Sequence, residues 1–88
     1  MIVFDPAKDA ANIVKHGVSL RLAEEMDMQA ARIGIDDRKD YNEVRYVAFG
    51  DIDGRLHAFT FTIRDGNVRA ISLRRARAKE PRKWLLES

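Results

Sequence analysis

The chain has 88 residues, of which 45% are apolar and 34% charged, and its formal net charge is +2. A chain of this length buries one core, so we expect a single domain over residues 1–88 and exclude a disordered polymer. No Cys is present, which excludes disulfides, thiolate zinc sites and cysteine nucleophiles, and no secretory signal or membrane span is evident. We expect a cytoplasmic protein that needs no metal or cofactor.

The first third of the sequence predicts a short strand followed by a helical hairpin. Ile2–Phe4 is the strand; Asp5 and Pro6 then supply an N-cap and a first helical position, and Gly17 supplies a C-cap. The helical spacing of the apolar residues predicts which face of this helix meets the core: Ala7, Ala10, Ala11 and Val14. A second helix is expected to begin at Ser19 and to face inward with Leu22, Ala23 and Met26.

The middle of the chain has the period of β-strands. Residues 31–35 alternate between apolar and other residues, and a charged loop is predicted at 36–42. Tight turns rich in Asp and Gly then separate three further predicted strands, at residues 45–50, 55–63 and 68–75. We expect these three to form an antiparallel meander. Four aromatic residues are interpreted as core: Phe49, Phe59, Phe61 and Trp84. His57 is interpreted as a partly buried sheet residue.

Residues 79–86 predict a short terminal helix with Pro81 in its first turn, where a proline is tolerated. The fold class is therefore α+β: an N-terminal helical hairpin packed on an antiparallel β-sheet, with a short C-terminal helix.

A cluster of cations follows the last predicted strand. Between Arg69 and Lys83 the sequence has seven basic residues and one acid, Glu80, so this segment carries a formal +6. Eleven of the sixteen cations in the chain are Arg, whose planar guanidinium pairs bidentately with phosphate. We therefore expect a phosphate ligand, bound where the guanidinium groups at the end of this strand converge on one hollow.

Three segments, in this order, carry a resemblance to a known family. The first comprises Phe4–Lys8, Asn12 and Lys15–Ser19; the second is Glu43–Gly50; the third is Ile71–Ala76, with Glu80 beyond it. Together they resemble the BrnT toxins, the ribonuclease halves of a class of bacterial toxin–antitoxin pairs. The resemblance covers nearly the whole chain.

The resemblance implies a compact RelE-like fold and a metal-independent endoribonuclease that inhibits translation. It also implies neutralisation by a cognate BrnA-like antitoxin. The toxin–antitoxin complex would repress its own operon, with operator DNA contacted only through the antitoxin.

Metal-independent RNA cleavage drives the 2′-hydroxyl against the adjacent phosphorus, which requires a base, an acid and cations that stabilise the phosphorane. The candidate catalytic residues are His16, Glu43, Arg45 and Arg74. The candidate substrate-binding residues are Lys15, Tyr46, Arg75 and Arg77. Strict strand alternation puts Arg74 on one face with Val68, Ala70 and Ser72, and Arg75 on the other. Arg45 is expected to share a face with Val47 and Phe49, and Tyr46 the opposite one.

Structural interpretations compete with these roles. His16 can instead stabilise the end of its helix, and Glu43 can be no more than the ion-pair partner of an arginine. The basic segment can be a solvated face. The alternative function is a non-catalytic module whose basic surface binds nucleic acid or an acidic protein partner.

Overall fold

The computed structural model describes residues 2–37 and 42–81. In chain order the elements are β1 (Ile2–Val3), α1 (Pro6–His16), a 3₁₀-helix (Leu20–Glu25), β2 (Arg32–Ile35), β3 (Tyr46–Ile52), β4 (Arg55–Arg64) and β5 (Asn67–Arg75). Each strand forms where β-branched or aromatic residues alternate with smaller or polar ones. The α+β class is confirmed.

The five strands form one mixed sheet in the order β1-β5-β4-β3-β2. The meander of β3, β4 and β5 is antiparallel, as predicted, and β2 adds to it antiparallel to β3. The N-terminal strand β1 pairs in parallel with β5, placing Ile2 opposite Val68 and Val3 opposite Arg69. Because β1 is only two residues long, it leaves the second half of that edge of β5 to another partner.

Both turns of the meander contain an Asp-Gly pair with positive φ at each residue. The φ values are 53° and 77° at Asp53 and Gly54, and 54° and 76° at Asp65 and Gly66. Such two-residue turns match the right-handed twist of the strands they join. The two tight turns that the Asp-Gly pairs predict are therefore confirmed.

Helix α1 begins and ends where the capping residues predict. The Asp5 carboxylate accepts a hydrogen bond from the Ala7 amide at 2.8 Å, Pro6 occupies the first turn, and Gly17 ends the helix with φ 77°. A left-handed residue at that position is most readily a glycine.

The predicted inward face of α1 is wrong. All four residues of the apolar stripe are exposed: Ala7, Ala10, Ala11 and Val14. Val14 keeps 89% of its surface accessible to solvent. The helix instead turns Asp9, Asn12 and His16 inward, which are spaced at i, i+3 and i+7. Asp9 and Asn12 form hydrogen bonds with backbone groups, so hydrogen bonding rather than hydrophobicity determines which face of the helix points inward.

The expected α-helical hairpin is not confirmed. Ser19 caps the second element as predicted, but residues Leu20–Glu25 form a 3₁₀-helix rather than an α-helix. Its inward residues are those that the sequence indicated: Ala23 and Met26 are buried, and Leu22 packs against the core. The element therefore serves as a short apolar cover over one face of the sheet.

The main core lies between that cover and the sheet face beneath it, here called the covered face. Its largest fully buried side chains are Leu20, Ile52, Phe59 and Leu73. Phe61 stacks between Phe59 and Tyr46, with ring centroids 5.0 Å and 5.5 Å apart. A smaller cluster occupies the opposite face, here called the second face, and consists of Val47, Phe49 and Ala58 with Leu56 and Ala76 beside them.

A β-bulge interrupts the pairing of β4 with β5. Thr60 pairs with Ser72, but its neighbour Phe61 pairs with Ala70, so β5 has one additional residue, Ile71, at this point. A bulge breaks the strict alternation of side chains along the strand that carries it. The prediction that Arg74 shares a face with Val68 and Ala70 is therefore wrong, because those two residues pack against the core of the covered face.

Of the predicted terminal helix, residues 79–81 are helical, and Pro81 lies in this first turn as expected. The rest of that prediction, including Trp84, lies outside the described residues. Neither of the described helices is long and apolar enough to span a bilayer.

Candidate active site

The half of the β5 edge that β1 leaves unpaired is hydrogen-bonded by one side chain from α1. Asn12 donates from Nδ2 to the carbonyl oxygen of Leu73 at 2.8 Å, and the Leu73 amide donates to Asn12 Oδ1 at 3.1 Å. The same Nδ2 donates to the carbonyl oxygen of Val18, also at 2.8 Å. A carboxamide offers a donor and an acceptor side by side, so it pairs with a strand edge as another strand would. Asn12 thus fixes α1 beside the end of β5.

Asp9 fixes the segment that follows the helix. Its Oδ1 accepts hydrogen bonds from the Ser19 hydroxyl at 2.8 Å and from the Leu20 amide at 2.7 Å. These bonds hold the turn after Gly17 against α1. Asn12 thus fixes α1 to the edge of β5, and Asp9 fixes it to the segment after the helix. Lys15 and His16 lie at the C-terminal end of the helix positioned in this way.

His16 lies one helical turn beyond Asn12 and on the same side of the helix, so it projects toward the end of β5. The pKa of His16 is lowered from its ordinary value of 6.5, first by partial burial and then by the positive charges of Lys15 and Arg74. A lowered pKa keeps the imidazole neutral near pH 7, and a neutral imidazole can accept a proton.

Arg74 faces the second face, opposite Ala58, and is held by Glu80. The guanidinium donates from Nη2 to Glu80 Oε1 at 2.9 Å and from Nη1 to Oε2 at 3.3 Å. The Arg77 amide donates to the same carboxylate at 2.6 Å. The hydrogen bond from Arg74 is the largest cause that lowers the pKa of Glu80, so the carboxylate is ionised and compensates the charge of Arg74.

Arg75 lies on the face opposite to Arg74, as predicted, and pairs across the ladder with His57. The two guanidinium groups therefore do not converge on one hollow. His57 itself is a buried sheet residue, as the sequence indicated: it is 3% exposed, and its Nδ1 lies 2.7 Å from the Arg55 carbonyl oxygen, which requires Nδ1 to carry the proton. Lys15 and Arg77 are exposed near the same end of the sheet.

The other three candidate residues lie at the opposite end of the sheet. Glu43 forms an ion pair with Arg64 at 3.1 Å. Tyr46 belongs to the covered face and stacks on Phe61. Arg45 precedes β3, and its carbonyl oxygen accepts a hydrogen bond from the Asp36 amide at 2.8 Å. Tyr46 pairs with Phe61, three residue steps along β4 from Ala58, the partner of Arg74, which is about 10 Å at strand spacing. The candidate residues are thus divided between two ends of the sheet.

The sequence analysis assigned no role to Arg69. Arg69 pairs with Thr62 and therefore lies on the second face, the face of Arg74. Residues five apart on a regular strand point to opposite faces, and the extra residue Ile71 cancels that difference. A bulge has no reliable signature in this sequence, so only the observed register could reveal the shared face.

Within residues 2–37 and 42–81 no three His, Asp or Glu side chains are grouped so as to hold a metal ion. The chemistry that these residues can perform is proton transfer at His16 and anion stabilisation by arginine.

A family model described as the BrnT ribonuclease toxin of type II toxin–antitoxin systems matches residues 4–80. No curated protein gives a significant match to the chain. The matched region contains α1, strands β2 to β5 and Glu80.

Proposed function

The chain belongs to the BrnT family of type II toxin–antitoxin ribonucleases, and we propose that it cleaves RNA without a metal at the end of β5. The observation that supports this site most strongly is the position of His16, an imidazole with a lowered pKa, within electrostatic reach of Arg74. The pair supplies a proton acceptor and a cation for phosphate at one place. RNA is the target, and an antitoxin is the partner, that the family implies.

In the proposed reaction neutral His16 accepts the proton of the 2′-hydroxyl, and the 2′-oxygen attacks the adjacent phosphorus. The bond from phosphorus to the 5′-oxygen breaks, leaving a 2′,3′-cyclic phosphate and a 5′-hydroxyl. The leaving oxygen takes a proton from the imidazolium so formed or from water. Arg74 stabilises the negative charge of the phosphorane, which is the step at which a fixed donor contributes most.

The ion pair of Arg74 with Glu80 gives the site a defined resting state. Glu80 orients the guanidinium through two hydrogen bonds. A bound phosphate replaces or shares that carboxylate, because both ligands present oxygens to the same planar donors. Lys15, Arg75 and Arg77 surround this position and attract the RNA backbone from either side of the sheet end.

Arg45 and Glu43 act, in this proposal, on the RNA that extends away from the cleaved bond. Strand alternation extended to Arg45 puts it on the face of Arg74, where it would contact phosphate. Tyr46 stacks on Phe61 on the covered face, so its proposed part is to support this end of the sheet. Glu43 is the alternative proton carrier, although its ion pair with Arg64 gives it a structural role in the resting protein. In this proposal a single catalytic domain carries all of these roles. It acts in the cytoplasm, where RNA is translated.

We further propose that cleavage inhibits translation and that a BrnA-like antitoxin neutralises the enzyme. The basic segment after β5 is a suitable surface for an acidic stretch of that antitoxin, which would then compete with RNA. Operator DNA would be bound through the antitoxin in the complex.

The proposal is tested by incubating the purified protein, freed of antitoxin under denaturing conditions and refolded, with RNA in EDTA. We expect fragments that end in 2′,3′-cyclic phosphate and growth arrest when the protein is induced alone. Intact RNA at high protein concentration, together with salt-sensitive RNA binding, would instead support the alternative of a non-catalytic basic module.

A further inference from the structure

The second face carries a polar strip along β5 that begins at Arg69 and ends at Arg74. Between the two arginines, Ser72 and Thr60 lie opposite each other on the same face, and both are half-buried. The strip therefore presents cation, hydroxyl, hydroxyl and cation in succession. Hydroxyl and guanidinium groups are the side chains that contact sugar and phosphate in nucleic-acid complexes.

Arg69 differs from Arg74 in its hydrogen bonding. Its Nε is buried and has no hydrogen-bond partner in the part of the chain that the structure describes. Arg74, in contrast, is satisfied by Glu80. A buried donor without an acceptor is unusual in a folded protein, so this Nε is left unsatisfied as the chain stands. The Arg69 side chain as a whole is half-buried, and no carboxylate among the described residues pairs with it, so an anion can approach its accessible part without displacing one.

The neighbours of Arg69 do not supply that acceptor. Thr62, opposite it in the ladder, donates its hydroxyl to the Val44 carbonyl oxygen at 2.7 Å. Glu43, an acid at this end of the sheet, is engaged with Arg64.

The apolar part of the second face lies to one side of the strip. Val47, Phe49 and Ala58 are buried there, on β3 and β4. The strip on β5 presents Arg69, Ser72 and Arg74 on the second face, so a linear polyanion finds its polar contacts along β5 rather than across the sheet.

From these relationships we infer that Arg69 binds a backbone phosphate of single-stranded RNA that runs along β5 on the second face, flanking the linkage held at Arg74. The inference rests on the proposed function, because it places the cleaved bond at Arg74 and the bound phosphate of Arg69 to one side of that bond. Its contacts are to sugar and phosphate and carry no base specificity. Arg69 is a substrate-binding residue here, and Ser72 and Thr60 line the path between the two phosphate positions.

The test measures binding of a 2′-O-methyl oligonucleotide, which cannot be cleaved, over a series of salt concentrations. Arg69→Ala should weaken binding about tenfold at low salt. It should also reduce the slope of log affinity against log salt by about 0.7, the value for one single-strand phosphate contact. Arg69→Lys keeps the charge and should retain the slope. Arg21→Ala removes an exposed cation from the 3₁₀-helix, which covers the opposite face of the sheet, and should leave both quantities unchanged.

Circular dichroism and thermal unfolding of each variant separate loss of a contact from loss of the fold. If folded Arg69→Ala binds with the affinity and salt slope of the unaltered protein, the inference is wrong, whatever the cleavage activity. If the unaltered protein binds the oligonucleotide through Arg69 but does not cut ordinary RNA, the inference stands and the ribonuclease proposal does not.

Discussion

Asn12 and Leu73 are joined by two hydrogen bonds, in which a side-chain amide of α1 takes the place of a neighbouring strand at the edge of β5. The residues are 61 positions apart in sequence. Their contact sets the position of the last turn of α1, and hence of His16, relative to Arg74. The geometry of the proposed active site therefore depends on one asparagine in a polar helical face.

Replacing Asn12 by Leu tests this dependence. The substitution leaves the amide and the carbonyl oxygen of Leu73 without partners in a buried position, which should lower the free energy of unfolding by about 2 to 4 kcal/mol. The measurement is urea unfolding monitored by circular dichroism.

Val14→Lys is the matched control, since it places a charge on the stripe that the sequence assigned to the core. Because Val14 is 89% exposed, the free energy of unfolding should change by no more than about 0.5 kcal/mol. A large loss for Val14→Lys and a small one for Asn12→Leu would mean that α1 is rotated from the orientation described.

Gly50 lies where the 3₁₀-helix segment approaches β3. A Cβ added there would lie 2.9 Å from Met26 Cγ and 3.1 Å from Ala31 Cβ. Gly50→Ala should therefore lower the free energy of unfolding by about 1 to 3 kcal/mol through overpacking. In a Met26→Ala background the same substitution should cost less, because the space is already vacated. Equal costs in both backgrounds, measured by a double-mutant cycle, would contradict this packing.

From the lowered pKa of His16 we expect both the cleavage rate and the stability of the fold to increase with pH below 6.5. As the base, His16 acts in its neutral form, so the cleavage rate should rise with pH with a midpoint below 6.5. Since the unfolded chain binds the proton more tightly, protonation also disfavours the fold. The contribution of His16 to stability is thus lost as pH falls from 6.5 through the pKa of the folded state.

These predictions are checked by following the imidazole signal of His16 by NMR beside the pH–rate profile. His16→Ala should remove the rising limb of that profile below 6.5. A His16 midpoint above 6.5, or an unchanged profile in the variant, would exclude it as the base.

Glu80 has the opposite role in the pH dependence. Its pKa is lowered chiefly by the hydrogen bond from Arg74, so its stabilising contribution is present above the ordinary value of about 4.5 and is lost as pH falls through the folded-state pKa. Glu80→Gln should lose at most about 1 kcal/mol of stability at pH 7, because the pair is partly exposed. The difference between the two proteins should shrink toward pH 3 in urea unfolding. A difference that stays constant over this range would show that the ion pair contributes nothing to stability.

The features that were predicted correctly from the sequence are those that depend on residues close together in the chain. The caps of α1, the Asp-Gly turns and the burial of Phe59 and Phe61 were all correct. Each follows from a contact within a few positions along the chain or from strong hydrophobicity. These features were sufficient to predict the antiparallel meander, whereas the register shift between Thr60 and Phe61 was not predicted.

The errors arose from contacts between distant parts of the chain. The inward face of α1 was chosen by the apolar stripe, whereas the free edge of β5 needed the hydrogen bonds that Asn12 provides. The parallel pairing of β1 with β5 has no local signal either. The bulge at Ile71 moved Arg69 onto the face of Arg74, so period-two alternation alone could not identify the residues that share that face.

The central claim is that the end of β5 is the catalytic centre, and single-turnover cleavage of RNA by Arg74→Ala tests it most directly. With Arg21→Ala as the control for loss of an exposed arginine, we predict that Arg74→Ala lowers the cleavage rate about a hundredfold or more, as loss of a donor to the phosphorane should. The control should retain its rate within a factor of about three. A folded Arg74→Ala variant that cleaves RNA as fast as the Arg21→Ala control would contradict a catalytic centre at the end of β5.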